Sequence, residues 1–174
     1  MKSTQTVLRL WDEVWNAHDV DAVDKFVADD VVLASGRQER TGKDNLKNWI
    51  KEFFDKVNDL EVDAGETFQN EEGTRVTSRW VLMGTNNGLF GTEPNGEEIA
   101  LSGIAVFAFG DDGKVERLSV EQDSFEQYRR LLAEALRYRC VFPRELGGGS
   151  GGEAGAGAAG AGALGALQAS KVTS

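Results

Sequence analysis

Apolar residues recur at helical spacing near the start of the chain and at strand spacing after about residue 60. Leu8, Trp11 and Trp15 follow i, i+3, i+7, and Val7, Leu10 and Val14 widen the same face. This pattern predicts a helix from a cap at Ser3 or Thr4 to about Asn16. Asp19 is placed to cap a second, short helix with a stripe of Val20, Val23, Phe26 and Val27. Val31-Val32-Leu33 reads as a short strand and Gly36-Arg37-Gln38 as a turn. Thr41-Gly42-Lys43-Asp44 introduces a third helix, with Leu46, Trp49, Ile50, Phe53, Phe54 and Val57 on its apolar face.

The period then changes to two. Residues 60–70, 73–84, 97–110 and 114–122 read as strands, separated by turn signals at Glu72-Gly73, Pro94-Asn95-Gly96 and Asp111-Asp112-Gly113. Asn86-Asn87-Gly88-Leu89-Phe90-Gly91 is a longer loop. A last helix from Ser124 to about Cys140 carries Phe125, Tyr128, Leu131, Leu132 and Leu136, and Pro143 stops it. Helices followed by an antiparallel meander predict an α+β domain. A curved sheet wrapped around helices leaves a blind cone, a natural site for a small hydrophobic molecule.

Charge narrows the partners. The chain has 174 residues and a formal charge of −10, which argues against nucleic acid and against an anionic membrane surface. No apolar run approaches the roughly 20 residues that span a bilayer. Met1-Lys2-Ser3-Thr4 lacks the apolar core of a signal peptide, so the cytoplasm is the expected location. Cys140 is the only cysteine and His18 the only histidine, which excludes an internal disulfide, a thiolate metal cage and a two-histidine metal site. His18 reads as a surface turn residue and Cys140 as a small packed one. Arg129, Arg130, Arg137, Arg139 and Arg144 make the last helix locally basic, the pattern of a solvated helix paired with acids.

Of the 21 glycines, ten fall in 147–174 beside eight alanines, with one acid (Glu153) and one base (Lys171). Such a segment cannot bury enough surface to offset its ordering entropy. The expected organisation is a folded domain over 1–141 that holds the whole negative charge, and a Gly/Ala-rich flexible tail over 142–174.

Two stretches carry a family resemblance. Trp15-Asn16-Ala17-His18-Asp19-Val20-Asp21-Ala22-Val23 resembles the N-x-x-D-x-x-A-hydrophobic turn of the NTF2-like superfamily. Gly84-Thr85-Asn86-Asn87-Gly88-Leu89-Phe90-Gly91-Thr92-Glu93-Pro94-Asn95-Gly96, with Ser102-Gly103-Ile104 and Gly113-Lys114-Val115, resembles the SnoaL-like polyketide cyclase branch. The closing Asp of that pattern appears as Asp123. The resemblance covers about 3–135. It implies an NTF2-like (cystatin-like) cone, with three N-terminal helices on a curved, mostly antiparallel sheet and an extra C-terminal helix. It also implies a cofactor-independent enzyme, often a homodimer through the outer sheet face, that closes a ring by an intramolecular aldol step.

The departures from that family bear on mechanism. Its base, an Asp three residues before the closing Asp, is Val120 here, and an accompanying imidazole falls near Phe107. The acid–base set of ketosteroid isomerase, which shares the cone, aligns with Ser35, Trp11 and Ala105. Neither set is present.

Strand parity nominates replacements. If Val120 points inward, so do Glu116, Leu118 and Gln122 on one strand and Leu101, Gly103, Ala105, Phe107 and Phe109 on the next. Trp11, Trp15, Trp49 and Phe53 complete an apolar lining from the helices. Burial there would raise a carboxyl pKa, which suits proton transfer near neutrality. Glu116, Asp123 and Asp30 are the candidate acids, and Arg79 a candidate carbonyl-polarising cation. Each has a plainer reading: a solvated strand start, a helix cap, a turn acid beside Asp29 and an outer-face ion pair.

The reading that results is a cofactor-independent, ring-forming cyclase, isomerase or hydro-lyase of secondary metabolism, such as antibiotic biosynthesis. Its substrate would be a hydrophobic polyketide- or terpenoid-like molecule. The alternatives are a non-catalytic ligand-binding or dimerisation module and, third, water addition as in an epoxide hydrolase.

Overall fold

The computed structural model describes residues 2–141, with side chains through residue 136. The expected tail, Arg144 and the side chains of Arg137, Arg139 and Cys140 lie outside the described residues.

The first helix, α1 (Ser3–Leu10), runs directly into a π-helical segment, Trp11–Asn16. Ser3 and Thr4 do not cap it: the cap position is Lys2 without a side-chain bond, and Ser3 Oγ instead donates to the Gly73 carbonyl at 2.6 Å. The wide π turn buries Trp11, Val14 and Trp15 together. Asp19 does cap the next segment, accepting from the Asp21 and Ala22 amides, but Val20–Lys25 is a 3₁₀ helix. Lys47 ties that segment to α2 (Lys43–Lys56) through Asp21 at 3.0 Å and Asp24 at 2.9 Å.

Six strands follow one another as β1 (Val27–Ser35), β2 (Gln38–Thr41), β3 (Val57–Gln69), β4 (Arg75–Asn86), β5 (Glu98–Phe109) and β6 (Val115–Gln122). They form one sheet in the order β2-β1-β6-β5-β4-β3. Only β1 and β6 run parallel among these neighbours, with Ser35 opposite Val120. Strand β2 is an addition to the sequence-based expectation, because Gln38-Glu39-Arg40-Thr41 has almost no apolar residue to mark it. It exists because β1 offers a free edge, closed by the Gly36–Arg37 turn. The last helix, α3 (Ser124–Val141), packs against β5 beyond the sheet.

The helical layer and the inner face of the sheet share one apolar core, from Val7 and Val14 through Leu33, Ile50 and Leu101 to Phe107. Outer-face positions are solvated, and Phe68, Ile104, Val106 and Met83 are the exposed large apolar residues there. The architecture is the expected α+β cone.

Candidate functional site

Two neighbouring spaces share part of their lining. The inner one is a cleft between α1, the π segment, α2 and the inner face of β4–β6. Aromatic side chains nearly fill it. Trp15 meets Trp11 and Trp49 at ring separations of 5.9 Å and Phe53 at 5.8 Å, while Trp11 meets Trp80 and Phe107 at 6.1 Å. The remaining free volume is about 20 Å³, enough for a water-sized group. The apolar cone pocket expected from the sequence is a narrow cleft, because the same indoles build both its walls and the core.

The outer space is a basin of about 560 Å³. Its floor comes from α2, its sides from the β1–β2 hairpin (Ser35, Gln38, Arg40) and from the 3₁₀ turn Leu89–Gly91. That turn is held by Asn86, which is 1% exposed. Asn86 Oδ1 accepts from the Gly88 and Leu89 amides at 3.0 and 2.8 Å, and its Nδ2 donates to the Glu93 carbonyl at 2.9 Å. Trp49, Phe53 and Gln122 border both spaces.

Of the expected contact residues, Trp11, Trp15, Trp49, Phe53, Phe107, Leu118, Val120 and Gln122 line the cleft. Ala105 is fully buried, opposite Val120 and Ser78, but lies behind the lining.

None of the four expected reactive groups borders the cleft or the basin. Glu116 fails on parity. The β5–β6 register jumps from Ala108↔Arg117 to Phe109↔Val115, so Glu116 is the extra residue of a β-bulge. The bulge turns Val115 into the cleft and leaves Glu116 exposed, its carboxylate folded over Gly110, where a Cβ would clash. Asp123 is exposed and caps α3, accepting from the Glu126 amide at 3.4 Å. Asp30 is exposed on β1, and its neighbour Asp29 pairs with Lys43 at 2.7 Å. Arg79 stands on the outer face, 3.8 Å from Glu66 of β3. His18 is an exposed turn residue, with φ of 54°, whose Nε2 lies 2.7 Å from the Leu60 carbonyl.

Three charged residues in the basin escape a reading based on strand parity. Glu52 and Lys56 come from α2 and Arg40 from β2. The signal for the first two was present: Trp49, Glu52, Phe53 and Lys56 sit at i, i+3, i+4 and i+7, one stripe of a helix. Trp80 of β4 also lines the cleft, while its sequence neighbour Arg79 points to the opposite face.

The cleft lining contains no ionisable side chain. Two buried polar atoms there have no hydrogen-bond partner, Trp80 Nε1 and Gln122 Oε1. Trp11 provides the contrast, since its Nε1 donates to Ser78 Oγ at 3.0 Å. An unmet buried donor or acceptor costs about 1–3 kcal/mol.

Shifted pKa values belong to the surface. The Lys43 ammonium holds the Asp29 carboxyl below its usual value. Lys25 and Arg9 do the same for Glu13, and Arg129 and Arg130 for Glu126. Among the described residues no cluster of His, Cys, Asp and Glu could hold a metal ion, and no helix is long and apolar enough to cross a membrane.

Comparison with known proteins matches this arrangement to one family. No curated protein sequence matches the chain. The fold is similar to a candidate SnoaL-like polyketide cyclase from Jannaschia sp. CCS1, at 24% identity over 77% of this chain and 89% of that one, with a TM-score of 0.64. It is also similar to a candidate polyketide cyclase from Acidithiobacillus ferrooxidans, at 22% identity over 76% and 96% of the two chains, with a TM-score of 0.67. AclR of Streptomyces galilaeus, described as a candidate hydroxylase, aligns at 21% identity over 75% and 96%, with a TM-score of 0.64. The sequence model of SnoaL-like polyketide cyclases matches residues 5–131, most of the chain and all six strands, and the chain belongs to that family.

Proposed function

We propose that the protein is a ring-closing enzyme of secondary metabolism, acting on a hydrophobic polyketide- or terpenoid-like substrate without a cofactor. The observation that carries this reading is a 560 Å³ basin that shares Trp49, Phe53 and Gln122 with an apolar cleft inside a cyclase-family scaffold. The substrate body lies in the basin against Trp49, Phe53, Leu89 and Phe90. One end enters the cleft toward Val120. The walls fold the chain so that its reacting carbons meet, and the narrow cleft excludes water from the reacting end. A valine in place of the family's carboxylate shifts the catalytic burden to positioning.

Proton transfer, where the ring closure requires it, falls to the rim. Glu52 is the carboxylate that borders the basin, with Lys56 and Arg40 as the cations able to stabilise a developing enolate. Glu116, Asp123, Asp30 and Arg79 keep structural roles in this reading. The second copy of a homodimer covers the outer sheet face around Phe68, Ile104 and Val106.

The test is incubation of the purified protein with a metabolite extract of its native host, followed by mass spectrometry. An isomeric or dehydrated product is the expected result, lost or slowed in Glu52→Gln and retained in Glu116→Gln. Recovery of a bound metabolite unchanged would favour the second reading, a binding module, which the absence of any ionisable group from the cleft supports.

A further inference from the structure

Strand β2 puts a charge on the concave face of the sheet. Arg40 lies opposite Leu33, Leu33 opposite Leu118 and Leu118 opposite Phe107, so the four occupy one rung. Directly opposed residues share a face. Leu33, Leu118 and Phe107 are buried, and the last two line the cleft. Arg40 therefore ends an apolar inner rung with a guanidinium, on the edge strand of the sheet. Gln38 and Ser35 end the next inner rung, which continues to Val120. Arg40 Nη2 donates to Gln38 Oε1 at 3.3 Å, which holds the head group beside a residue that borders the basin.

A second cation reaches the basin from α2. Lys56 ends that helix, and Glu52 stands one turn before it at the i, i+4 spacing that favours an ion pair. No such pair forms. Lys56 Nζ lies instead at the Gly88 turn, 3.8 Å from where a Cβ would stand on that glycine. The Asn87 amide donates to the Lys56 carbonyl and Asn87 Nδ2 to the Asp55 carbonyl, each at 2.9 Å, so turn and helix end are fixed to each other. Gly88 borders the basin. Both cationic head groups thus stand against basin residues, and the basin, unlike the cleft, is lined by polar as well as apolar atoms.

The chain holds 29 acids and 19 bases, yet Arg40 and Lys56 make no ion pair among the described residues. Glu52 is the one carboxylate on the basin lining. Two cations against one acid leave a single positive charge beside the apolar surface of Trp49, Phe53, Leu89 and Phe90. That combination suits a monoanion on an apolar body.

We propose that Arg40 and Lys56 anchor a carboxylate, so that the ligand of the basin is a hydrophobic acid. The guanidinium keeps further N–H groups besides the one given to Gln38, and the ammonium adds donors from the Gly88 side. Glu52 opposes a second negative charge. This assignment deepens the reading of the basin as the substrate site and rests on it.

Binding of naphthoate, naphthalenemethanol, naphthalenemethylamine and naphthalene to the full chain, read by quenching of tryptophan fluorescence at neutral pH and low salt, tests the anchor. Naphthoate is expected to bind about tenfold tighter than naphthalenemethanol, as two partly exposed ion pairs each contribute about threefold. The amine is expected to bind no tighter than the alcohol, and added salt to shrink the preference for naphthoate. The naphthoate-to-alcohol ratio is expected to fall about threefold in Arg40→Gln and in Lys56→Gln, and to near one in the double variant. It is expected to persist in Arg75→Gln, which removes the same charge from an exposed site on β4. Because neither cation makes an ion pair, the variants are expected to melt as the natural chain does, so loss of the ratio there cannot be assigned to unfolding. Naphthoate binding no tighter than the alcohol, a preference for the amine, a ratio that survives in the double variant, or an equal loss in Arg75→Gln overturns the carboxylate anchor and leaves the substrate site standing. Failure of every probe, naphthalene included, overturns the substrate site and the anchor together.

Discussion

Asn16 pairs with Val62 through both ends of its side-chain amide, accepting from the Val62 amide at 2.8 Å and donating to the Val62 carbonyl at 3.1 Å. It does for β3 what a neighbouring strand would do. Strand β3 is the sheet edge, and these are two of its otherwise open backbone groups. The same residue ends the π segment that carries Trp11 and Trp15, so one amide fixes the tryptophan-bearing turn to the sheet. Asn16→Ala is expected to lower stability by about 1–2 kcal/mol, as two part-buried hydrogen bonds are lost. Chemical denaturation measures it, and an unchanged midpoint would make the pairing incidental.

Val120 is 2% exposed in a lining without charge. Val120→Asp places a carboxyl in a lining that holds no ionisable side chain. Burial raises its folded-state pKa above the unfolded value of about 3.9. The variant is then expected to lose little stability below that pH and progressively more as pH rises through the window above it, reaching about 3 kcal/mol or more near neutrality. Melting temperature against pH reads this directly, and a flat difference between variant and natural chain would show that water reaches the site.

The surface ion pairs set a different pH profile. Glu13, Asp29 and Glu126 have folded-state pKa values lowered by neighbouring cations. Their contribution is present above their unfolded values and is lost as pH falls through the folded ones. Lys47 is raised by Asp24 and Asp21, so its contribution is present below its unfolded value and lost as pH rises through the folded one. Asp29 is exposed and Glu13, Glu126 and Lys47 are half-buried at the surface, and salt is expected to flatten both limbs. Melting curves at low and high ionic strength check this. Because no histidine or cysteine lines the cleft or the basin, affinity for naphthalene is expected to stay constant from about pH 6 to 9. A titration step within that range would reveal a charged group reaching the ligand.

On the outer sheet face, Glu66, Arg79, Ile104 and Glu121 form one rung and Phe68, Thr77, Val106 and Ser119 the next. Phe68 is 61% and Ile104 48% exposed. Ile104→Glu places a third acid on the first rung, facing its copy across a two-fold interface. Light scattering is expected to show a dimer for the natural chain and a monomer for the variant, with melting little changed at low concentration. A monomeric natural chain would remove the dimer from the proposed function.

Periodicity made the helices and the four long strands legible, because each buries one face and repeats at 3.6 or 2. The Asn16–Asp19 turn was legible as a motif, and Asp19 makes the cap bonds read for it, while the pairing of Asn16 with Val62 emerged only in the structure. Strand β2 was not legible, since its residues are polar and the neighbouring edge alone makes it a strand. Trp11, Trp15, Trp49 and Phe53 on the helices and Phe107, Leu118, Val120 and Gln122 by strand parity were legible as cleft lining, whereas Trp80 and Leu82 of β4 were not. Glu116 could not be placed, because parity assumes an unbroken ladder and the bulge at that residue inserts one extra position. The basin charges were missed because Glu52 and Lys56 lie on the polar margin of an apolar helix face, where helices normally meet water.

By itself the sequence determined the family, the order of helices and long strands and the apolar character of the cone. These are local patterns and residue identities, and they need no knowledge of what packs on what. The tertiary structure decided how much of the cone is empty, which acids face it and where the unmet polar atoms lie. Each of those depends on distances between segments far apart in the chain. The volume left by four indoles, the one-residue shift at Glu116 and the rung joining Arg40 to Leu118 exist only once the sheet has closed around the helices.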